Sequence, residues 1–374
     1  METSEDWVTV ENSEEKLKKI EEITKITRPK PDVPRSPSGA ELIQYPREYQ
    51  PYIDAPPVSH DQMYSQSTRN DSITVDSWKS DWIHNYKMNK EKLGNFADHS
   101  VGKLFQKHLH MPAIVVGSGP HLKRNAHLLK EAKGMPIVSC LHNFHYLEDM
   151  GVNVDYYVSL DAGPLTIEEV SEGGDPDVDY WAKTKGKTLI AYACSHPELI
   201  SRWQGEIYFY NCGLPSKEIM EALDAVEVFN THMSTGGNVL GAATYFAKGF
   251  LGCSTIIFLG ASFSFSTEEK FHAWDSKYDV KLGKVLRLPD IYGYKAKTWQ
   301  SYYNFATWFN FIAEKVPGRW INCTEGGLLG AYLEGNIRSI EQMDFKDCLA
   351  QFNMSEHLRK QAEDPKTSEL KILF

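Results

Sequence analysis

The stretch from Met111 to Asp161 constrains this chain more than any other, and it opens MPAIVVGSGPHLKRNAHLLKEAKG. Ala113–Val116 is a compact apolar, β-branched run, Gly117-Ser118-Gly119-Pro120 follows at once, and Leu122, Ala126, Leu129 and Ala132 then recur at helical spacing. The order predicts a strand, a tight glycine turn and a helix N-terminus. Such a junction directs unpaired backbone N–H groups and the positive end of the helix dipole at an anion. Gly117 and Gly119 let the backbone approach a phosphate that a Cβ would hold off. Two further apolar runs, Pro136–Cys140 and Tyr156–Leu160, follow at spacings suited to βαβ units. The second ends in Asp161, where ligands collect in open α/β sheets, beyond the carboxyl ends of the strands. On its own, GSGP suits a plain tight connection equally well, because the full dinucleotide fingerprint is missing.

The rest of the chain extends this pattern. Residues 1–60 read as a flexible arm: a short amphipathic helix over Glu14–Ile26, then a proline-rich extended linker. An arm of this kind either packs on a partner or a neighbouring subunit, making a homo-oligomer, or stays disordered. Residues 61–110 form a helical segment in which Trp78, Trp82 and Tyr86 repeat every four residues, as core or interface rather than a ligand box. Residues 111–265 alternate strand and helix, with short strands at Lys187–Cys194, Glu206–Tyr210 and Ser254–Leu259. The acidic, glycine-rich Gly163–Tyr180 reads as a surface loop. Ser234-Thr235-Gly236-Gly237 has the chemistry of an N-cap plus a glycine nest, ahead of a helix from Asn238 to Gly249 rich in small residues. Residues 266–345 hold a charged lid (Ser266–Leu288), an aromatic helix (Tyr292–Lys315) and the polar turn Thr324-Glu325-Gly326-Gly327; residues 346–374 read as a C-terminal helix and tail. The fold class is α/β, a Rossmann-like, mostly parallel sheet with helices on both faces.

Several classes of function are excluded by composition. A formal net charge of -10 argues against general nucleic-acid binding, which rests on neutralising phosphates. The six cysteines are dispersed, without a CxxC pair, so neither a zinc knuckle nor a disulfide scaffold is expected. The acidic N-terminus lacks an apolar signal region, and no apolar run is long enough to span a membrane, so the expectation is a cytoplasmic protein.

Taken in order, the motifs GSGP, SLDAG, STGGNV, IIFLG, FHA and INCTEGG resemble one family, that of 6-hydroxymethylpterin diphosphokinase-like proteins, which includes the motility accessory factors that modify flagellin. It is also distantly similar to bacterial Rossmann-like sialyltransferases. The resemblance spans about residues 111–335. It implies a nucleotide or nucleotide-sugar donor and transfer of a group to an acceptor hydroxyl. Motility accessory factors are taken to use CMP-activated nonulosonic sugars, whereas the pterin enzyme moves diphosphate from ATP to a pterin alcohol with Mg²⁺.

Carried over position by position, the resemblance gives Gly117, Ser118 and Gly119 the first nucleotide turn and Asp161 the aspartate after the third strand. Ser234 through Gly237, as STGG, opens the second turn, with Thr235, Gly236 and Gly237 matching directly, His272 lies on the lid, and Thr324, Glu325 and Gly326 belong to the TEGG element. Two departures stand out: Ser262 replaces an acid that the family usually has after the IIFLG strand, and the long helical extensions of flagellar members are missing.

Read from the residues, Asp161 positions the donor, binds Mg²⁺ or caps a turn. His272 is a candidate general base by its near-neutral pKa, with Glu325 its rival. His142 and Asn143, just past the second strand, are candidates for contact with a base or sugar. Since SLDAG lacks a doubled aspartate, glycosyl transfer from a CMP-sugar leads over ATP-dependent diphosphate transfer. A protein of another class, keeping the nucleotide fold for binding or assembly without turnover, is the third reading; the acceptor, small molecule or protein, is left open.

Overall fold

The apolar runs become the middle of one parallel sheet in a computed structural model that describes residues 78–94, 96–212, 221, 232–266, 268, 270–276, 285–292, 295–331 and 339–353. In chain order the strands are β1 (Pro112–Val116), β2 (Ile137–Cys140), β3 (Tyr156–Ser159), β4 (Thr188–Tyr192), β5 (Glu206–Cys212), β6 (His232–Met233), β7 (Thr255–Leu259), β8 (Val285–Pro289), β9 (Lys295–Trp299), β10 (Arg319–Asn322) and β11 (Glu341–Gln342). Nine of them pair in the order β11-β10-β7-β1-β2-β3-β4-β5-β6, while β8 and β9 form a separate hairpin. Every pair in the large sheet is parallel. Ile114 of β1 sits between Ile137 of β2 and Ile257 of β7. β2, β3 and β7 are buried at every position, which requires cover on both faces of the sheet and explains why they read as unbroken apolar runs. This is the Rossmann-like α/β architecture expected from the sequence.

From β1 the chain moves outward through β6, then returns to lay β7 on the other side of β1. The reversal puts a topological switch point between β1 and β7, and the crevice beyond their carboxyl ends is where this architecture binds ligands. The return is made by a helix over Val239–Tyr245, which lies across β1, β2 and β3 and buries Gly241, Ala242 and Ala243 against them. Its cap lies one step later than the STGG turn: Asn238 Oδ1 accepts from the Gly241 N–H at 2.8 Å.

Three further expectations are corrected. The segment after GSGP is two 3-10 stretches, Pro120–Arg124 and Ala126–Glu131, broken at Asn125 with φ -137°. The break arises because the buried Asn125 amide donates across the fold to the Cys323 carbonyl at 2.7 Å, and this long-range bond takes precedence over local helical geometry. The aromatic helix begins at Gln300, not Tyr292, because Lys295–Trp299 alternates with period two and pairs with β8. The described part of the lid is not a solvated charged loop: Phe271, His272, Ala273 and Trp274 are buried. The N-terminal arm, with the oligomer contact assigned to it, and the tail beyond residue 353 lie outside the described residues. All six cysteines are buried and none is joined in a disulfide.

The helix running from residue 78 to 93, α1, clamps the site edge of the sheet. Trp82 and Tyr86 are core, the latter stacked on Phe96 with ring centroids 5.3 Å apart, while Trp78 remains partly exposed over Gly163. On the same helix, one turn apart, Asn85 donates to the carbonyls of Ala162 and Cys194, and Asn89 to those of Ala193 and Ser195. These amides tie α1 to the loops beyond β3 and β4. Asn89→Ala, which leaves two buried carbonyls without that donor, is expected to lower stability by about 2–3 kcal/mol. Denaturant unfolding checks this; an unchanged midpoint would refute the clamp.

Candidate functional site

At the switch point the first glycine turn is locked onto the end of β7. The Gly117 N–H donates to the Leu259 carbonyl at 2.8 Å, the Gly119 N–H to Gly260 at 2.8 Å, and the His121 N–H to Ser262 Oγ at 3.3 Å. The N–H groups predicted to face an anion at Gly117 and Gly119 are therefore spent within the protein. A Cβ on Gly119 would lie 2.5 Å from both the Gly260 oxygen and Ser262 Oγ, so the glycine is required by this close crossing of chains. Ser118 lies between the two and ties the lid down: its carbonyl accepts from the Ala273 N–H at 3.1 Å.

The second turn meets the first. A Cβ on Gly117 would lie 3.3 Å from Leu240 Cδ1, at the start of the returning helix. Gly236 and Gly237 adopt φ of +59° and +77°, Ser234 and Gly237 are exposed, and the Gly237 N–H donates to Thr235 Oγ1 at 3.3 Å. Trp308 and Phe305 of the Gln300–Lys315 helix cover the two glycines, so this aromatic face packs on the turn. The two left-handed glycines form a tight polar turn just ahead of the helix, closed by the Gly237 N–H on Thr235 and capped by Asn238.

The TEGG turn acts as a brace. Thr324 Oγ1 accepts from the Ala261 N–H at 3.0 Å, which joins β10 to the end of β7. Glu325, at a φ of +59°, places Oε1 3.2 Å from Asn125 Nδ2 and 3.0 Å from the Phe345 N–H, which starts the Phe345–Phe352 helix. Arg124 donates to the Glu325 carbonyl. A carboxylate held this way fixes three elements. Gly326 makes room for His121, whose Nε2 would lie 2.5 Å from a Cβ there. His121 Nδ1 in turn lies 3.0 Å from Ser262 Oγ, and burial lowers its pKa to about 4.

Beyond β2 and β3 lies a histidine–carboxyl cluster. His142 Nε2 is 3.2 Å from Glu172 Oε2, which also accepts from Trp274 Nε1 at 3.1 Å and Ser276 Oγ at 3.2 Å. The His142 ring lies 4.7 Å from that of His272 and 5.0 Å from that of Trp274. Asn143 is buried and gives its amide to the Val116 carbonyl and Ser139 Oγ, so it fixes the end of β1. Asp161 is exposed, yet its carboxyl is raised above the usual range by surrounding protein, against the pull of His142. Glu169, partly buried nearby, is raised to about 7, first by burial and then by Asp161 and Glu172, with His142 opposing.

Glu169, Glu172, Trp274 and Ser276 are absent from the sequence-based site. The acidic stretch reads as solvated loop, and the signal that bears on it is the spacing of Glu169 and Glu172, three residues apart with both turned inward. Since the folded state holds the Glu169 proton between the ordinary carboxylate range and about 7, stability falls as pH rises through that window. Glu169→Gln is expected to match the parent protein near pH 5 and to exceed it by on the order of 1–3 kcal/mol at pH 8. Melting curves across pH check this; a difference that does not grow with pH would remove the assignment.

Among the described residues no three metal-ligating side chains converge; a Mg²⁺ ion at Asp161 would depend on this carboxylate together with donor phosphate and water.

Residues 80–268 match the family described as 6-hydroxymethylpterin diphosphokinase MptE-like. The chain belongs to that family. The match covers β1–β7 and with them both glycine turns, Asp161, His142 and Glu172; His272, Trp274, Ser276 and the TEGG brace of this MptE-like chain lie outside it. Among solved structures, the MAf glycosyltransferase from Magnetospirillum magneticum AMB-1 aligns at 16% identity with a TM-score of 0.46, over 70% of this chain and 43% of that one. This chain thus spans less than half the length of that relative. No curated protein matches it by sequence.

Proposed function

We propose that this MptE-like protein is a nucleotide-dependent transferase that moves a glycosyl group from a CMP-activated sugar to an acceptor hydroxyl. Family membership supports a nucleotide-related transferase. The observation that carries the finer reading is the meeting of Ser234–Gly237 and the first turn with the acid-rich His142 cluster at one crevice. In this reading the phosphate sits on the exposed second turn beside Ser118, with Thr324 and Gly326 keeping the floor in shape. Asp161 accepts from a donor hydroxyl, and a histidine of the cluster takes the acceptor proton.

The family description favours a second reading, diphosphate transfer from ATP to a pterin-like alcohol with Mg²⁺. A thermal-shift series with CMP, CDP, UDP, GDP, ADP and ATP, each with and without Mg²⁺, separates them, since a ligand of the folded state raises the melting temperature by mass action. Stabilisation by CMP or CDP without metal is the expected result. Stabilisation by ATP only with Mg²⁺ would establish the second reading instead. No shift with any nucleotide would end both and leave a binding or assembly protein.

A further inference from the structure

We infer that His142 is the general base of the transfer and that Glu172 is its positioning residue, set in place by the lid. The inference rests on the glycosyl-transfer reading for its chemistry, but the pairing of the two side chains stands on geometry. Glu172 is nearly buried, with its side chain 5% exposed, and one oxygen faces His142 Nε2, Trp274 Nε1 and Ser276 Oγ together. A carboxylate offers only lone pairs, so Nε2 carries the imidazole proton and the ring lone pair is on Nδ1. That tautomer is the one a base requires. The His142 side chain is 13% exposed and bears on the carboxylate, while the buried His272 packs its ring on Phe271, Trp274 and His142. Glu325, the other candidate, spends Oε1 on Asn125 and Phe345.

The arrangement joins three segments that sequence keeps apart: the turn after β2, the acidic loop after β3 and the lid after β7. Trp274 and Ser276 reach Glu172 from the lid, and the lid is anchored to the first glycine turn through Ala273 and Ser118. Seating of the lid therefore orients the base beside the donor turns. In the step itself, Nδ1 of His142 takes the acceptor hydroxyl proton as that oxygen bonds to the anomeric carbon. The bond from that carbon to the phosphate oxygen breaks, and CMP leaves with the electron pair. The imidazolium, paired with Glu172, then gives its proton to water.

The test uses the full chain with Glu172→Gln and Glu172→Asp. Gln presents an amide N–H as readily as an oxygen, so it no longer enforces the tautomer; Asp keeps a carboxylate. Release of CMP from the probe CMP-N-acetylneuraminate, with water as acceptor, is expected to fall about 10–100-fold in kcat for Glu172→Gln with KM within about twofold, and to recover partly in Glu172→Asp. Histidine ¹⁵N shifts of the unliganded chain, with His142 assigned from His142→Asn, are expected to show a protonated Nε2 that becomes a tautomer mixture in Glu172→Gln. If Glu172→Gln does not fold, Ser276→Ala removes one donor from the same carboxylate and is read the same way, with a smaller kcat loss. A wild-type Nδ1–H tautomer, or an effect on KM alone, overturns the inference. Absence of CMP release from the wild-type chain would count against the transfer reading, while the ¹⁵N shifts still decide the pairing.

Discussion

Gly119→Ala is expected to be the most damaging single substitution at the crevice. Its φ of -61° suits any residue, so the loss comes from space and not from backbone freedom. The added methyl would lie 2.5 Å from the Gly260 oxygen, 2.5 Å from Ser262 Oγ and 2.8 Å from Ser262 Cβ. The Ser262 hydroxyl can rotate, but the Gly260 carbonyl and Ser262 Cβ are fixed to the backbone. To relieve the overlap, β1 and β7 must separate at their carboxyl ends, which breaks the Gly119 to Gly260 hydrogen bond and the seat of the His121 to Ser262 contact. Overpacking together with a lost buried bond costs about 3 kcal/mol or more. Nucleotide-induced stabilisation should vanish as well, because the second turn leans on the first through Leu240 and Gly117. Melting with and without CMP measures both effects. A variant that melts like the parent and keeps the nucleotide shift would show that the two strand ends need not stay locked for binding.

The second large effect is expected from Asp161→Ala, and its two halves have opposite signs. The carboxyl is held above its ordinary pKa by the enclosing protein, so above that range the folded chain carries a charge that the unfolded chain carries more easily. Removing it should leave the melting temperature at pH 8 unchanged or higher. On the proposed glycosyl-transfer reading, turnover should fall by about 10²-fold or more, because a group that would hold the donor is lost from the reacting geometry. A functional residue and a structural turn cap part company here. Loss of a cap lowers stability and spares turnover; loss of Asp161 is expected to do the reverse. Stability and CMP release measured on the same preparation distinguish them, and a variant that is less stable but fully active would assign Asp161 to the fold.

Much of the architecture was legible because parallel strands covered on both faces must be apolar throughout. Ala113–Val116, Pro136–Cys140, Tyr156–Leu160 and Ser254–Leu259 each mark a strand to within a residue or two. The gathering of Gly117–Gly119, Asp161, His142 and Thr324–Gly326 at one edge was equally predictable, since each follows a strand and parallel strands end on the same side. What the glycines of the first turn do was not predictable. Gly–x–Gly after a strand is the pattern both for approach to a phosphate and for approach to another backbone, and only the position of Gly260 chooses the second. The helix expected after that turn failed for a related reason. Propensity and spacing are local, whereas the Asn125 bond to Cys323 spans 198 residues of chain.

The sequence by itself thus determined the sheet, its parallel sense and the edge at which its polar turns collect, because burial periodicity and strand–turn order are local properties that survive any arrangement of the remainder. Tertiary structure alone decided which of those polar groups are spent and which are poised. It closed the first turn with β7, engaged Glu325 as a brace, and folded the acidic loop inward so that Glu172 faces His142 beside Trp274 and Ser276. Hydrogen bonds between segments a hundred residues apart leave no periodic trace in a chain, and a carboxylate on a solvated loop is written with the same letter as one that holds a base in place.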